Sequence, residues 1–281
     1  MTIPKVGIFS KLFSEPSPDD LAAAIRASGF TCTQLNMSSL GLPPLPLSVE
    51  DSALEAVRAA FDQHGVEISA VSGTYNMVHP NSDEVERGRA GFETVAAACG
   101  RLGAGVITLC TGTLDPDDQW RYHPHNSSAV AWQTLLAEME KLIAIADKYD
   151  LVLGIEPEPS NIISSADLAL QLLIALPSPR LKIVFDPANL ARGDAEGMRR
   201  LLVRDVGLLA GVTAIFHAQN RTRNGTPSRP ADGAVDIGWL LGNMIERGFD
   251  GPVIAHGFPR EDATSTAAFL SDVLGAGDGN L

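Results

Sequence analysis

Cysteine is scarce in this chain: Cys32, Cys99 and Cys110 are the only three in 281 residues. No two of them have the close spacing of a thiolate zinc site or a disulfide framework, so a reducing compartment, the cytoplasm, is expected. Positive charge is also short. Against 34 Asp and Glu stand 21 Lys and Arg, a formal net charge of −13, which argues against a general nucleic-acid or anionic-membrane surface because phosphate binding draws on clustered basic residues. Long apolar runs are missing as well. Charge, Gly or Pro interrupts each of them well before the ~18 residues that a spanning helix needs. The first residues, Met-Thr-Ile-Pro-Lys-Val-Gly-Ile-Phe, contain no basic stretch leading into an apolar one, so no signal peptide is expected. What these absences leave is a soluble protein acting on a small molecule, without a nucleic-acid or membrane partner.

Hydrophobic residues make up 45% of the sequence, enough for a large core. They fall in short β-like runs alternating with longer segments of three- and four-residue apolar spacing, the rhythm of βα units around a parallel sheet. Strands are predicted over 6–9, 31–35, 67–71, 105–109, 151–156, 181–186, 212–217 and 252–256, and helices over 18–28, 49–64, 83–102, 128–149 and 167–176 among others. Eight such units predict an α/β fold, a single (β/α)8 TIM barrel spanning 1–281 with no linker or compositional break. Gly29, Gly65 and Gly103 follow helix ends, where a left-handed cap is favoured. The Gly-rich end, residues 275–281, is expected to fray.

Each of the last four apolar runs ends in a polar side chain: Glu156, Asp186, His217 and His256. In a barrel of parallel strands the carboxyl ends share one rim, where this architecture places its chemistry. A single strand-end carboxylate is more often a helix cap or an ion-pair partner. Two carboxylates and two imidazoles at equivalent places instead describe a site for one divalent ion, Mn²⁺, Zn²⁺, Co²⁺ or Mg²⁺. Glu158, two residues beyond Glu156, is read as a substrate contact, an acid or base, or a solvated loop charge.

Several segments resemble the xylose-isomerase-like TIM-barrel superfamily of sugar and sugar-phosphate isomerases and epimerases, which also includes inosose dehydratase and the endonuclease IV branch. They are Gly154-Ile-Glu156-Pro, Val184-Phe-Asp186-Pro-Ala-Asn189, Phe216-His217-Ala-Gln-Asn220, and the later stretches 230–239 and 248–252. The resemblance implies a divalent ion held by Glu, Asp, His and a second Glu from strands five to eight, with the two glutamates acting on opposite faces of a sugar. Glu156, Asp186 and His217 match the first three. His256 stands where the second Glu is implied, and a ligating imidazole is a poor base. The endonuclease branch requires a further histidine at the position of Asn189, so phosphodiester cleavage is not expected.

Residues 111–126 are too long and too aromatic for a minimal βα connection. They are read as a lid whose Trp120, Arg121, Tyr122, His123 and His125 close over a sugar, or else as a surface loop or subunit contact, which leaves a homo-oligomer open. Gln34, Asn36, Tyr75, Asn76 and His79 offer polar contacts for a polyol, and Arg221, Arg223 and Arg229 offer cations for a phosphate or carboxylate. The implied activity is metal-dependent isomerisation or epimerisation of a sugar, keto-sugar or sugar phosphate through an enediolate, with Glu156 as base and His256 and Glu158 as further catalytic candidates. A lyase or dehydratase on a keto-sugar or cyclitol, or a barrel that binds a polyol without turnover, are the alternatives.

Overall fold

The computed structural model describes residues 3–275, so the predicted fraying beyond Gly275 lies outside the described residues. Eight parallel strands close into a barrel: β1 (Val6–Phe9), β2 (Cys32–Leu35), β3 (Glu67–Ser72), β4 (Val106–Leu109), β5 (Val152–Ile155), β6 (Leu181–Phe185), β7 (Thr213–Ala218) and β10 (Val253–Ala255). Two further short strands, β8 (Asn220–Arg221) and β9 (Pro227–Ser228), form a small antiparallel hairpin on the loop after β7. Neighbours in the barrel follow sequence order, and β1 pairs with β10 to close the ring. The fold is the single (β/α)8 barrel that the alternating pattern predicts.

The surrounding helices are α1 (Pro18–Ala27), α2 (Asp51–Gln63), α3 (Ser82–Leu102), α4 (Ala129–Tyr149), α5 (Ala166–Ala175), α6 (Pro187–Leu190), α7 (Ala195–Leu209), α8 (Ile237–Glu246) and α9 (Ala263–Gly275). Their starts are written locally. Ser17, Asn81, Ser128 and Ser165 each cap a helix by accepting a backbone N–H of its first turn. Gly29, Gly65 and Gly103 have φ of 95°, 64° and 75°, the left-handed geometry expected where a helix turns back into the next strand. None of the described helices is long and apolar enough to cross a membrane.

Two apolar layers hold the barrel. The larger packs the outer faces of the strands against the helices; the smaller, Cys32, Ala70, Val184, Ile215 and Ile254, plugs the interior. Gly7 and Gly154 make room for that plug. A Cβ at Gly7 would lie 2.5 Å from Cys32 Sγ, and one at Gly154 would lie 2.9 Å from Val184 Cγ2. Because side chains alternate along a strand, the residue two positions beyond an interior plug residue also points inward, one layer higher. Val184 is followed by Asp186, Ile215 by His217, and Ile254 by His256. The interior thus changes from apolar to polar at the carboxyl rim.

At the opposite end a hollow of about 420 Å³ opens among Lys5, Arg58, Asp62 and Glu67. Its charges are already paired, Lys5 with Glu67 and Arg58 with Asp62, as suits the stabilising face of a barrel.

One buried carboxylate on the outer shell costs stability. Asp205 on α7 is 2% exposed, and burial pushes its pKa up to about 6, with Arg204 opposing and Asp167 reinforcing the shift. A folded-state pKa above the unfolded one means that the native state holds the extra proton, so stability falls as pH rises through that window. Asp205→Asn is therefore expected to stabilise the fold at pH 8 by roughly 1–2 kcal/mol, after the lost Arg204 pair is offset, and to have almost no effect near pH 4. Urea denaturation at the two pH values checks this; equal effects at both would refute the assignment.

Candidate metal centre

Four side chains from four successive barrel strands converge at the rim. One ligating atom from each of Glu156, Asp186, His217 and His256 lies within 4.8 Å of all the others. His217 Nδ1 is 3.3 Å from Glu156 Oε1 and 3.8 Å from Asp186 Oδ2, and His256 Nε2 is 3.2 Å from Asp186 Oδ2. The two imidazoles meet edge to face with centroids 4.6 Å apart.

The hydrogen-bond inventory isolates the same atoms. Five buried side-chain polar atoms among the described residues have no partner, and three of them, Asp186 Oδ2, His217 Nδ1 and His256 Nε2, belong to this cluster. An unsatisfied buried polar atom costs about 1–3 kcal/mol, so three facing one point make sense when something sits between them. The opposite edges are satisfied. Asp186 Oδ1 caps α6, accepting from the backbone N–H of Ala188 at 2.8 Å and Asn189 at 3.3 Å. Asn189 Nδ2 donates to Glu156 Oε1 at 3.0 Å. His217 Nε2 donates to Gln34 Oε1 at 2.9 Å, and Gln34 Nε2 in turn donates to Thr108 Oγ1 at 3.0 Å. That relay selects the tautomer whose Nδ1 lone pair faces the cluster. A donor set of two carboxylates and two imidazoles, with Glu156, Asp186 and His217 held from behind, fits a divalent cation.

Electrostatics agree with the geometry. Burial works against the Glu156 carboxylate, yet His217, His256 and the Asp186 contact outweigh it and hold its pKa below the ordinary glutamate range. Burial also disfavours charge on His217, but Glu156 and Asp186 more than compensate and raise it. Glu158 shows the reverse balance: burial, then the Glu156 and Asp186 charges, push it up to about 7, with Arg221 and Arg192 opposing. A bound cation would relieve that repulsion.

A cavity of about 290 Å³ opens above the cluster. Glu158, Trp120, Arg221 and Gln34 line it, as do His217 and His256. Gln219 lines it too, and its Oε1 is another of the partnerless buried atoms, an acceptor free for a ligand hydroxyl. Cys110 brings a thiol 3.8 Å from Glu156 Oε2; burial, then the nearby carboxylates, push its pKa up, so it is a neutral donor.

A profile of the xylose isomerase-like TIM barrel family matches residues 22–273. The chain belongs to that family. A search of curated protein sequences returned no match. Among solved structures, the chain is similar to the apo form of 3-keto-D-glucoside 4-epimerase, YcjR, from E. coli, with TM-score 0.76, 15% identity, and coverage of 95% of this chain and 99% of that one. It is also similar to a xylose isomerase-like TIM barrel protein from Mycobacterium smegmatis in complex with magnesium, with TM-score 0.74, 15% identity and 98% of each chain covered. A third is the IOLI protein with a bound zinc atom, with TM-score 0.73, 15% identity, and coverage of 97% and 98%.

Other rim residues of this family member lie apart from the cluster. Arg121 closes a bidentate pair with Asp115, at 2.6 and 2.5 Å, and also reaches Asp117. It is thus occupied within its own loop and does not line the metal cavity. His123 accepts the backbone N–H of His125, and the two rings stand 5.4 Å apart outside that lining. Asn76 exchanges hydrogen bonds with the Thr113 backbone and His79 contacts the Pro116 carbonyl, so both fasten the 111–126 loop to the strand-three rim. Arg223 is exposed on the hairpin turn, and Arg229 pairs with Asp232. Arg121, Asn76, His79 and Arg229 thus each have partners within the protein, a choice invisible to strand periodicity.

Sequence reasoning passed over Asn189 as a support for Glu156, although its place one turn after Asp186 in Asp-Pro-Ala-Asn was a signal. Gln34, expected to face substrate, has both ends of its amide engaged by His217 and Thr108. Gln34→Leu should preserve the fold but release the imidazole, lowering divalent-metal affinity about 10–100-fold. Metal titration in a chelator-buffered series checks this, and an unchanged Kd would mean that the relay has no hold on His217.

Proposed function

We propose that this barrel is a metal-dependent isomerase or epimerase acting on a sugar, keto-sugar or sugar phosphate. The carrying observation is the set of partnerless buried atoms of Asp186, His217 and His256, gathered with the Glu156 carboxylate at the floor of a polar cavity. When bound there, a divalent cation supplies Lewis-acid stabilisation for negative charge developing on a substrate carbonyl oxygen.

The remaining chemistry belongs to the side chains. Glu156 Oε1 faces His217 and Asn189, whereas Oε2 has only the Cys110 thiol at 3.8 Å. Oε2 is the base that takes a proton from the carbon beside the carbonyl. Glu158, in the cavity wall and with no ion pair among the described residues, returns or removes the second proton. Gln219 Oε1 orients a hydroxyl, and Arg221 places a cation in the same wall for an anionic substituent. Gln119 and Trp120 form the side of the cavity that belongs to the 111–126 loop.

His256 supports a second reading. It occupies the position where a second metal-bound carboxylate would serve two-base epimerisation, and elimination of a β-hydroxyl needs one base and one acid instead. One experiment addresses both. The protein is purified, its metal content measured, and a panel of keto-hexoses and a keto-cyclitol incubated with it in D₂O. Metal-dependent deuterium incorporation without loss of water supports isomerisation or epimerisation; a product lighter by one water supports dehydration. A metal-loaded protein that does neither on any member of the panel would leave a silent polyol-binding barrel.

A further inference from the structure

The hollow above the cluster does not end at Trp120. A second one, about 540 Å³, lies along the 111–126 loop and shares Thr74, Gln119 and Trp120 with the first. The cavity above the cluster alone, at about 290 Å³, falls just below the size range for ligand pockets, roughly 300–1,000 Å³, and suits one small ring. The neighbouring groove offers space for another.

Trp120 stands at their junction and is 48% exposed, a costly position for an indole with nothing on it. Its exposure is built. The Trp120 backbone N–H donates to Asp118 Oδ1 at 2.9 Å, Asn161 Nδ2 holds the Gln119 carbonyl at 3.2 Å, and Arg121 ties the loop through Asp115. The ring is thus held out on a braced loop.

The groove has the wrong charge for an anion. Glu84, Asp115, Asp117 and Asp118 line it against Arg87 and His79. Arg87 already pairs with Glu84 at 3.3 Å, and Arg121 is taken up by Asp115 and Asp117. Carboxylates on such a rim accept hydrogen bonds from hydroxyl groups and repel phosphate. An apolar ring face flanked by hydroxyl acceptors is the complement of a neutral pyranose.

We propose that this groove is a second sugar subsite: the substrate is a glycoside or disaccharide whose reacting ring sits over the metal cluster and whose other ring stacks on Trp120. The proposal rests on the reading of the metal cavity as a sugar site.

Isothermal titration with glucose, fructose and a disaccharide panel of cellobiose, maltose, trehalose and sucrose tests it on the metal-loaded protein. At least one disaccharide should bind about tenfold more tightly than its better constituent, the scale of one good aromatic contact. In Trp120→Ala that ratio should collapse to about one, and in Trp120→Phe much of it should return. Trp120 is a surface side chain, and thermal melting verifies that the variants fold. A ratio near one for every disaccharide in the wild type overturns the subsite. So does a ratio that survives Trp120→Ala, and so does a lack of any sugar binding. The two readings fail separately: deuterium exchange on keto-monosaccharides without a disaccharide advantage removes only the subsite. A Trp120-dependent disaccharide advantage without exchange on any keto-sugar removes only the catalytic reading.

Discussion

Asp186→Asn is expected to leave a folded barrel that no longer retains a divalent ion. The side chain divides its work between two oxygens: Oδ1 caps α6, and Oδ2 is buried without a partner and faces His217 and His256. Asparagine can keep the cap, because its amide oxygen still accepts from the Ala188 N–H, but at the cluster it replaces an anion with a neutral group. Loss of a supporting contact typically weakens metal binding 10–100-fold, so loss of an anionic ligand should exceed about 100-fold. Elemental analysis after dialysis, beside the same measurement on His217→Ala, decides the matter. Metal content equal to wild type in both variants, purified and refolded alike, would end the assignment of a metal centre.

The second large effect is expected at Glu158. It lines the cavity two residues beyond Glu156 and has no ion pair among the described residues. Glu158→Gln keeps its shape and removes the transferable proton. Turnover on any substrate identified by deuterium exchange should fall about 10²–10⁴-fold, the usual contribution of a positioned acid or base. Metal content should not change. A drop confined to KM with kcat intact would make Glu158 a substrate contact instead of a proton carrier.

The barrel was legible because its signal is local and repeated. Apolar runs of strand length, helical spacing between them, and Gly29, Gly65 and Gly103 at the turns each reflect backbone geometry within a few residues. The cluster was legible for a related reason. Alternation along a strand makes the residue after a buried run predictable, and a parallel barrel brings equivalent positions together, so Glu156, Asp186, His217 and His256 could be grouped before any coordinates. The hairpin of β8 and β9 and the short α6 were not read, being only two and four residues per element, too short for periodicity.

Side chains on loops behaved differently. Arg121, His123, Asn76 and His79 were grouped with the substrate by their position after strands three and four, yet each is engaged within or beneath the 111–126 loop. Asn189 was noted only for not being histidine, yet its amide steadies Glu156. A long polar side chain chooses among several partners within a few ångströms, and that choice depends on how loops distant in sequence settle against one another.

The sequence by itself therefore determined the βα order, the capped helices, the acidic surface charge and the four donor groups at the strand ends, because each follows from local backbone preference or residue chemistry. Only the tertiary structure decided which oxygen of Asp186 faces the cluster, that Gln34 holds His217 from behind, and that Trp120 stands between two connected hollows. Those facts arise from contacts between residues as far as 183 positions apart in sequence, as with Gln34 and His217, and such contacts exist only once the barrel has closed.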